Sequence, residues 1–484
     1  MMPSAAMSIA ATAIMARILS PSDYGLFGMV TGLTAVLVVI ADSGLSWATV
    51  QHRDLSKAQM SSMFWGNVLL GLLLWCVAVA ADPAVVAFFR VSKLAGITTV
   101  YGMTLFLNCL SAQPMALMRR EMRFRELSVV DAAAGAMGSI TGVALAMGGW
   151  GYWSLVAPVV LASFMRVALL LHVSGFRPSV PAVPRHSLSL MCFGGSVTSY
   201  CVLEYVGRHI DNVLVGKYFG AEQLGFYGRA YFLVMLPSVF AASTFTKVLE
   251  PALAVLRADR ARFGEAYRRT LQIIAFVGFP MTFGLAVVAP EAVRLVYGSH
   301  WGPVVPLLRY LSVAGTCQLV YGTVGPLFVA SGRGRDLFVW GLVAYSILTA
   351  AIFVGVQWGV NGVALACASI MAVVFVGPGL YFAHRAAQLD VSRSFEALVL
   401  PLLASGFMAL SAFAIGSSLA WLGKNWMWVL LGKVTSGAVV YLLSCLFISR
   451  QRIPSVLTEV HYAFMSSLVN HKASSPSMSH VHAE

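Results

Sequence analysis

The chain has 484 residues, of which 59% are hydrophobic and only 11% charged, with a mean hydropathy of +0.81 and a formal net charge of +13. That balance excludes a string of soluble domains, in which roughly a quarter of the residues would be charged. The basic excess points either to nucleic acid or to membrane topology, and its position along the chain decides between them.

Apolar runs of about 20 residues, the length that crosses a bilayer as a helix, recur along the chain. They fall near residues 1–16, 24–44, 62–81, 95–115, 128–147 and 152–172; then near 190–216, 226–248, 270–289, 304–330, 337–356 and 360–383; and finally near 396–418 and 426–448. The expected fold is an all-α polytopic membrane protein with about 14 transmembrane helices. No basic region precedes the first run, so it reads as a span and not a signal peptide, although its roughly 15 apolar residues are few for a crossing. Residues 176–187, FRPSVPAVPRHS, carry three prolines that cannot continue a helix. The expected division is therefore a six-helix lobe over 1–175, a cytoplasmic linker over 176–187, a second six-helix lobe over 188–386, two further helices over 395–448, and a Ser- and His-rich disordered tail over 450–484.

The two sets of six repeat one another. Ala16 to Gly28, ARILSPSDYGLFG, aligns with Gly216 to Gly228, GKYFGAEQLGFYG, at a constant offset of 200 that puts Arg17 over Lys217, Gly25 over Gly225 and Gly28 over Gly228. WGYWSL from Trp150 matches WGVNGV from Trp358, and Pro114 matches Pro326. DPAVVAFFR (82–90) matches APEAVRLVY (289–297), and both read as short amphipathic helices along the interface. Because six is even, both sets insert with the same orientation, so the repeat axis is expected along the membrane normal with a cavity between two lobes.

The basic residues lie in the loops. With the N-terminus inside, 21 Lys and Arg fall on the cytoplasmic side and seven, Arg229 among them, on the other, while Arg166, Arg208, Arg309 and Lys433 fall within spans. This positive-inside asymmetry places both termini in the cytoplasm and leaves no basic face for nucleic acid.

DNVLVGKYFGAEQLGFYGRAY from Asp211, followed by KVLEPALAVLR from Lys247, resembles the oligosaccharide flippases of bacterial surface-polysaccharide assembly, the Wzx-type branch of the multidrug, oligosaccharidyl-lipid and polysaccharide exporter superfamily. ARILSPSDYGLFGMV and ADSGLSWATVQ, near the start, carry the same resemblance, which covers nearly the whole chain up to the last two spans. It implies a V-shaped pair of six-helix lobes in the bacterial inner membrane. The implied task is to move a polyprenyl-diphosphate-linked oligosaccharide from the cytoplasmic to the periplasmic leaflet during exopolysaccharide, capsule or lipopolysaccharide synthesis. A polysaccharide polymerase and a chain-length regulator are candidate partners, besides membrane lipid.

A diphosphate and a hydrophilic glycan cannot cross hydrocarbon without fixed cations and a wet path, and ionisable groups at bilayer depth are functional candidates by default. The cavity candidates are Arg208, Arg309 and Arg166, with Arg208 and Arg309 expected to meet the diphosphate, since one guanidinium binds two oxygens at once. Blander arrangements compete. Glu204, Arg208 and Asp211 are spaced i, i+4 and i+7 on one helical face, so an internal ion-pair relay would neutralise Arg208, and Arg166 is near enough to a span end to snorkel.

No Walker nucleotide loop occurs, so Glu204 and Asp211 are the candidates for a coupling proton or sodium ion. Asp42 and Asp131 fit helix ends at the interface, and His209 fits a packed helix position. Tryptophans such as Trp150, Trp358 and Trp421 fit an interfacial belt, and MRREMRFRE (118–126) fits anchoring on anionic lipid. Seven cysteines without metal-ligand spacing, and tail residues His471, His480 and His482, suggest neither metal nor cofactor. The loops are too short for a catalytic pocket, so no enzyme is expected. The rival functions are an ion-coupled multidrug exporter of the same superfamily, a membrane-embedded polymerase and a non-transporting assembly subunit.

Overall fold

A computed structural model describes residues 2–42, 57–179, 195–256 and 260–449. Regular structure among them is helical. The first set comprises α1 (Met2–Ile18), α2 (Pro21–Asp42), α3 (Lys57–Phe89), α4 (Ile97–Arg120), α5 (Phe124–Met147) and α6 (Trp153–Ser174). The second comprises α7 (Gly195–Leu256), α8 (Arg260–Val287), α9 (Ala289–Val296), α10 (Val304–Tyr321), α11 (Val324–Ala330), α12 (Gly334–Gly355), α13 (Gly359–Ile370) and α14 (Gly377–Ala387), and α15 (Val391–Trp421) and α16 (Trp426–Ser449) follow. Ten stretches among the described residues are long and apolar enough to cross a membrane, which makes this a multi-pass membrane protein. One of them, Gly334–Ala387, has 54 residues, far more than one crossing needs, and turns back at Gly359, where φ is 76°.

Local chemistry explains the bends that matter. Between α1 and α2, Ser20 and Asp23 form a reciprocal cap, with Ser20 N–H donating to Asp23 Oδ2 at 3.0 Å and Asp23 N–H to Ser20 Oγ at 3.3 Å, and Pro21 occupies the first helical position. At the repeat-related place in the second set no such cap exists. There Gly220, at φ 81° and ψ −179°, breaks α7 into limbs 195–219 and 221–256, a conformation a side chain would oppose. Two different local devices thus make the same bend.

Two expectations need correction. Residues 82–89 do not form a separate interfacial helix: α3 runs through Pro83 to Phe89, and Asp82 turns to accept the Gly96 N–H at 3.0 Å. Its counterpart α9 does stand apart, because Pro290 opens a new helix after Val288. The run at 304–330 is likewise divided into α10 and α11 at Gly322–Thr323.

The largest buried cluster runs through both sets, from Ala16, Tyr24 and Met29 to Leu224, Phe226, Trp301 and Phe375. Its cross-set part is the packing of α2 against α7, the principal meeting of the two sets. Outward faces stay apolar, as at Leu69, Phe164, Leu410 and Phe447, which suits hydrocarbon and would be an aggregation liability in water. Helices α15 and α16 pack on α8, and α16 is pinned by a buried ion pair, Lys433 Nζ to Glu291 Oε1 at 2.8 Å, with Gly416 leaving room for the lysine stem.

Candidate functional site

The repeat motif forms a seam with approximate two-fold symmetry. A methyl group placed on Gly25 would lie 1.6 Å from the carbonyl oxygen of Ala221, and one on Gly225 would lie 1.9 Å from that of Pro21. Since 25 pairs with 225 and 21 with 221 in the repeat, the two contacts are one contact made twice. Backbones this close require glycine on both sides.

The cations of the motif are exchanged in the same way. Arg17 donates from its guanidinium to the carbonyl of Leu295 at the end of α9, and Lys217 donates to the carbonyl of Phe88 at the end of α3 while lying 4.4 Å from the Phe88 ring centre. Leu295 and Phe88 are themselves equivalent in the 289–297 and 82–90 alignment. Each set therefore caps the last turn of a helix in the other, where carbonyl oxygens lack partners and the helix dipole favours a cation. Trp301, fully buried, closes the seam by donating Nε1–H to the carbonyl of Ala16 at 2.8 Å and by meeting Tyr24, Phe226 and Tyr297 edge-on or tilted.

Beside this seam lies a cavity of about 490 Å³, walled by α1, α2, α4, α5 and α6 and closed by Arg229 and Phe232 of α7. Small residues make the room: Gly138 on α5 meets Ala162 and Pro158 on α6, Gly142 meets Pro158, and Gly135 has open space beside it. Near the seam, the Arg229 guanidinium lies over Tyr24 at 4.3 Å and near Phe232 at 5.2 Å, with no carboxylate in reach among the described residues. Its Nε, the Tyr24 hydroxyl and the Ser154 hydroxyl are buried and lack hydrogen-bond partners. Far from the seam, Arg166 Nε donates to Asp131 Oδ1 at 2.9 Å. Counting 1.5 Å per residue along α6, that pair lies roughly 20 Å from the seam end. The cavity is thus a tall slot with a neutralised charge pair at one end and an unneutralised guanidinium at the other.

The residues nominated from sequence separate. Arg166 lines the cavity and pairs with Asp131 across the lobe, so Asp131 is a cavity residue and not merely a helix end. Arg208 is held by Glu204 one turn earlier at 2.7 Å and lies beside Tyr345 of α12. Asp211 does not complete that relay. Its Oδ2 accepts from Tyr227 Oη at 2.7 Å, because the bend at Gly220 folds the second limb back beside the first. Arg309 is exposed on α10, outside the cavity wall and without a partner among the described residues. His209 is packed as expected, stacked on Tyr205 with Nδ1 2.9 Å from the Tyr205 carbonyl. The Asp42 side chain and the tail histidines lie outside the described residues. In the 118–126 loop, Arg123 is tied to Glu126 and Glu121, which hold its guanidinium above the ordinary range, and it donates to the Val173 carbonyl at 2.8 Å.

A family profile described as polysaccharide biosynthesis protein matches residues 14–306, more than half of the chain. The chain belongs to the polysaccharide biosynthesis protein family. It is similar to the succinoglycan biosynthesis transport protein ExoT of Rhizobium meliloti (strain 1021), at 25% identity over 447 residues covering 92% of this chain and 90% of that protein. It is also similar to the lipopolysaccharide biosynthesis protein WzxC of Escherichia coli (strain K12), at 24% identity over 369 residues covering 73% and 72%. Among solved structures, the lipid II flippase MurJ in an inward closed conformation shares the fold with a TM-score of 0.75 at 15% identity, covering 93% of this chain and 98% of that one.

For this member of the polysaccharide biosynthesis protein family, the residues that sequence reasoning missed are Arg229, Tyr24, Trp301 and the Arg17 and Lys217 pair. Arg229, at the start of the predicted run near 226–248, was counted with the outer-side basic residues, yet it lies well inside the helical second limb of α7. The constant offset of 200 already aligned the glycines and cations of the seam. What it lacked was the partners, which are backbone carbonyls and leave no trace in sequence.

Proposed function

We propose that this protein is a flippase for a polyprenyl-diphosphate-linked oligosaccharide, moving it from the cytoplasmic to the periplasmic leaflet of the bacterial inner membrane by alternating access of two six-helix lobes. The observation that carries this reading is the unneutralised guanidinium of Arg229 at the head of a cavity that ends against a two-fold seam. A diphosphate supplies the anion that Arg229 lacks, and the unpaired hydroxyls of Tyr24 and Ser154 offer donors to its other oxygens. The Asp131–Arg166 pair supplies polarity without net charge near the opposite end.

In this reading Arg208 is structural, neutralised by Glu204, and Arg309 lies outside the path. Positive-inside topology puts the seam on the periplasmic side, so the described conformation is shut there and both termini lie in the cytoplasm. The ion gradient acts through Asp211, a buried acid with no Lys or Arg partner among the described residues.

The test is transfer of a fluorescent polyprenyl-diphosphate oligosaccharide across proteoliposome leaflets, read by a membrane-impermeant quencher. Wild type should accelerate transfer over empty vesicles, and Arg229→Ala, folded as judged by its thermal midpoint, should lose at least about nine-tenths of that rate, as expected for an anion stripped of the cavity cation that pairs it. Full activity in Arg229→Ala would sink the assignment.

A further inference from the structure

Asp211 is 5% exposed and sits about 13 Å along the first limb of α7 from the Gly220 bend. Its Oδ2 accepts from Tyr227 Oη at 2.7 Å and its Oδ1 from the Asn212 N–H at 2.8 Å. On its own limb, Arg208 is paired with Glu204, and His209, stacked on Tyr205 with Nδ1 2.9 Å from the Tyr205 carbonyl, is close enough to act on the carboxylate electrostatically. On the second limb stand Tyr227 and Tyr231, the latter beside Gln318 of α10, and on α13 stands Cys367. From the other lobe, α2 brings Gly32 close, where a methyl group would lie 3.5 Å from Val213 and 3.6 Å from Asn212. No Lys or Arg forms an ion pair with the carboxylate among the described residues.

We propose that Asp211 is a proton-binding site, exchanging H⁺ when the seam between α2 and α7 opens and holding it when the seam closes. This rests on the flippase reading and names its coupling ion. An ionised carboxylate in this place is expensive, whereas its acid form is not. The hydrogen-bond chain satisfies both forms. With Asp211 ionised, Tyr227 donates to it. With Asp211 protonated, the new carboxyl O–H donates to Tyr227 Oη, which turns its own proton toward Cys367 Sγ at 3.7 Å. The only bond made or broken is O–H at the carboxylate, with water as the other proton carrier.

A hard cation fits poorly by comparison. It requires several oxygen ligands, and the groups that hydrogen-bond the carboxylate among the described residues are one phenol and one backbone N–H, with a soft sulfur beyond the phenol. The carbonyls of the 195–219 limb are engaged within the helix, and no unwound backbone lies beside Asp211 to supply others.

The test uses the full-length protein in nanodiscs with spin labels at Ser22→Cys and Glu222→Cys across the seam, without glycolipid. Lowering pH in sodium-free buffer should redistribute the inter-label distances, and adding sodium at constant pH should not. Tyr227→Phe removes a donor to the carboxylate, disfavours ionisation, and should move the midpoint of the pH response upward by about one to two pH units. Asp211→Asn should abolish the response. A sodium-driven redistribution, an absent pH response, or a midpoint unmoved in Tyr227→Phe overturns the proposal, and the last holds even if Asp211→Asn fails to fold. Because no substrate is present, failure here is separable from failure of glycolipid transfer.

Discussion

Alanine in place of Gly25 asks whether the seam is a closing contact. The added methyl would meet the Ala221 carbonyl oxygen at 1.6 Å, and its counterpart at Gly225 would meet the Pro21 oxygen at 1.9 Å. Ordinary contacts begin near 3 Å, and a helix backbone cannot swing aside as a side-chain tip does. The facing helices must therefore part by more than about 1 Å. Overpacking of this kind costs about 1–3 kcal/mol, charged entirely to the closed arrangement, because neither lobe is altered inside. The ratio of closed to open molecules should fall roughly 5- to 150-fold. At Gly28 the facing atoms are the flexible Leu224 side chain at 3.2 Å, so Gly28→Ala is the tolerated control.

Symmetry adds a sharper expectation. Gly25→Ala and Gly225→Ala should act alike, and the double variant should be little worse than either, since helices already parted by one methyl have room for the second. The assay is the distance between spin labels at positions 22 and 222, with glycolipid transfer measured alongside. Gly25→Ala with the wild-type distance distribution and wild-type transfer would refute the seam as a gate.

Other expectations follow from the same geometry. Arg17→Gln and Lys217→Gln each remove one cation from an exposed helix end, worth roughly 0.5–1.5 kcal/mol, and being separate contacts they should add, shifting the label distances in the same direction. Lys433→Ala strands the buried Glu291 and should lower the thermal midpoint by the equivalent of about 3–5 kcal/mol, while Lys433→Met combined with Glu291→Gln should recover most of it. At the start of α15, Asp390 accepts from Ser392 N–H at 3.0 Å and from its hydroxyl at 2.8 Å, which holds its carboxyl below the ordinary range. Its capping contribution is therefore complete above the usual carboxylate pKa of about 4 and is lost as pH falls through the lower folded value. Asp390→Asn should flatten that acid limb in a pH series of thermal midpoints.

Much of the helical layout was legible in sequence because hydrocarbon imposes a length on every crossing and leaves irregular backbone nowhere to hide. The predicted run 128–147 sits inside α5, and 95–115 overlaps α4 over all but its first two residues. The Glu204–Arg208 pair was legible for a similar reason, being four residues apart on one helix. Asp211 was not: it shares that face, yet its partner Tyr227 lies 16 residues on, across a bend whose direction depends on Gly220.

What the sequence alone determined, then, is set by the solvent and by near neighbours: a membrane protein, an all-helical layout with most of its long runs, and the family to which it belongs. The tertiary structure decided which charges are spent and which are free. Arg229 was counted with the loops and is the cavity cation without a carboxylate partner among the described residues, while Arg208, named with Arg309 for the diphosphate against a competing ion pair, is held by Glu204. Periodicity reports which face of a helix a residue occupies, whereas the energy of a charge depends on what stands opposite it. That was chosen by packing between helices far apart in the chain.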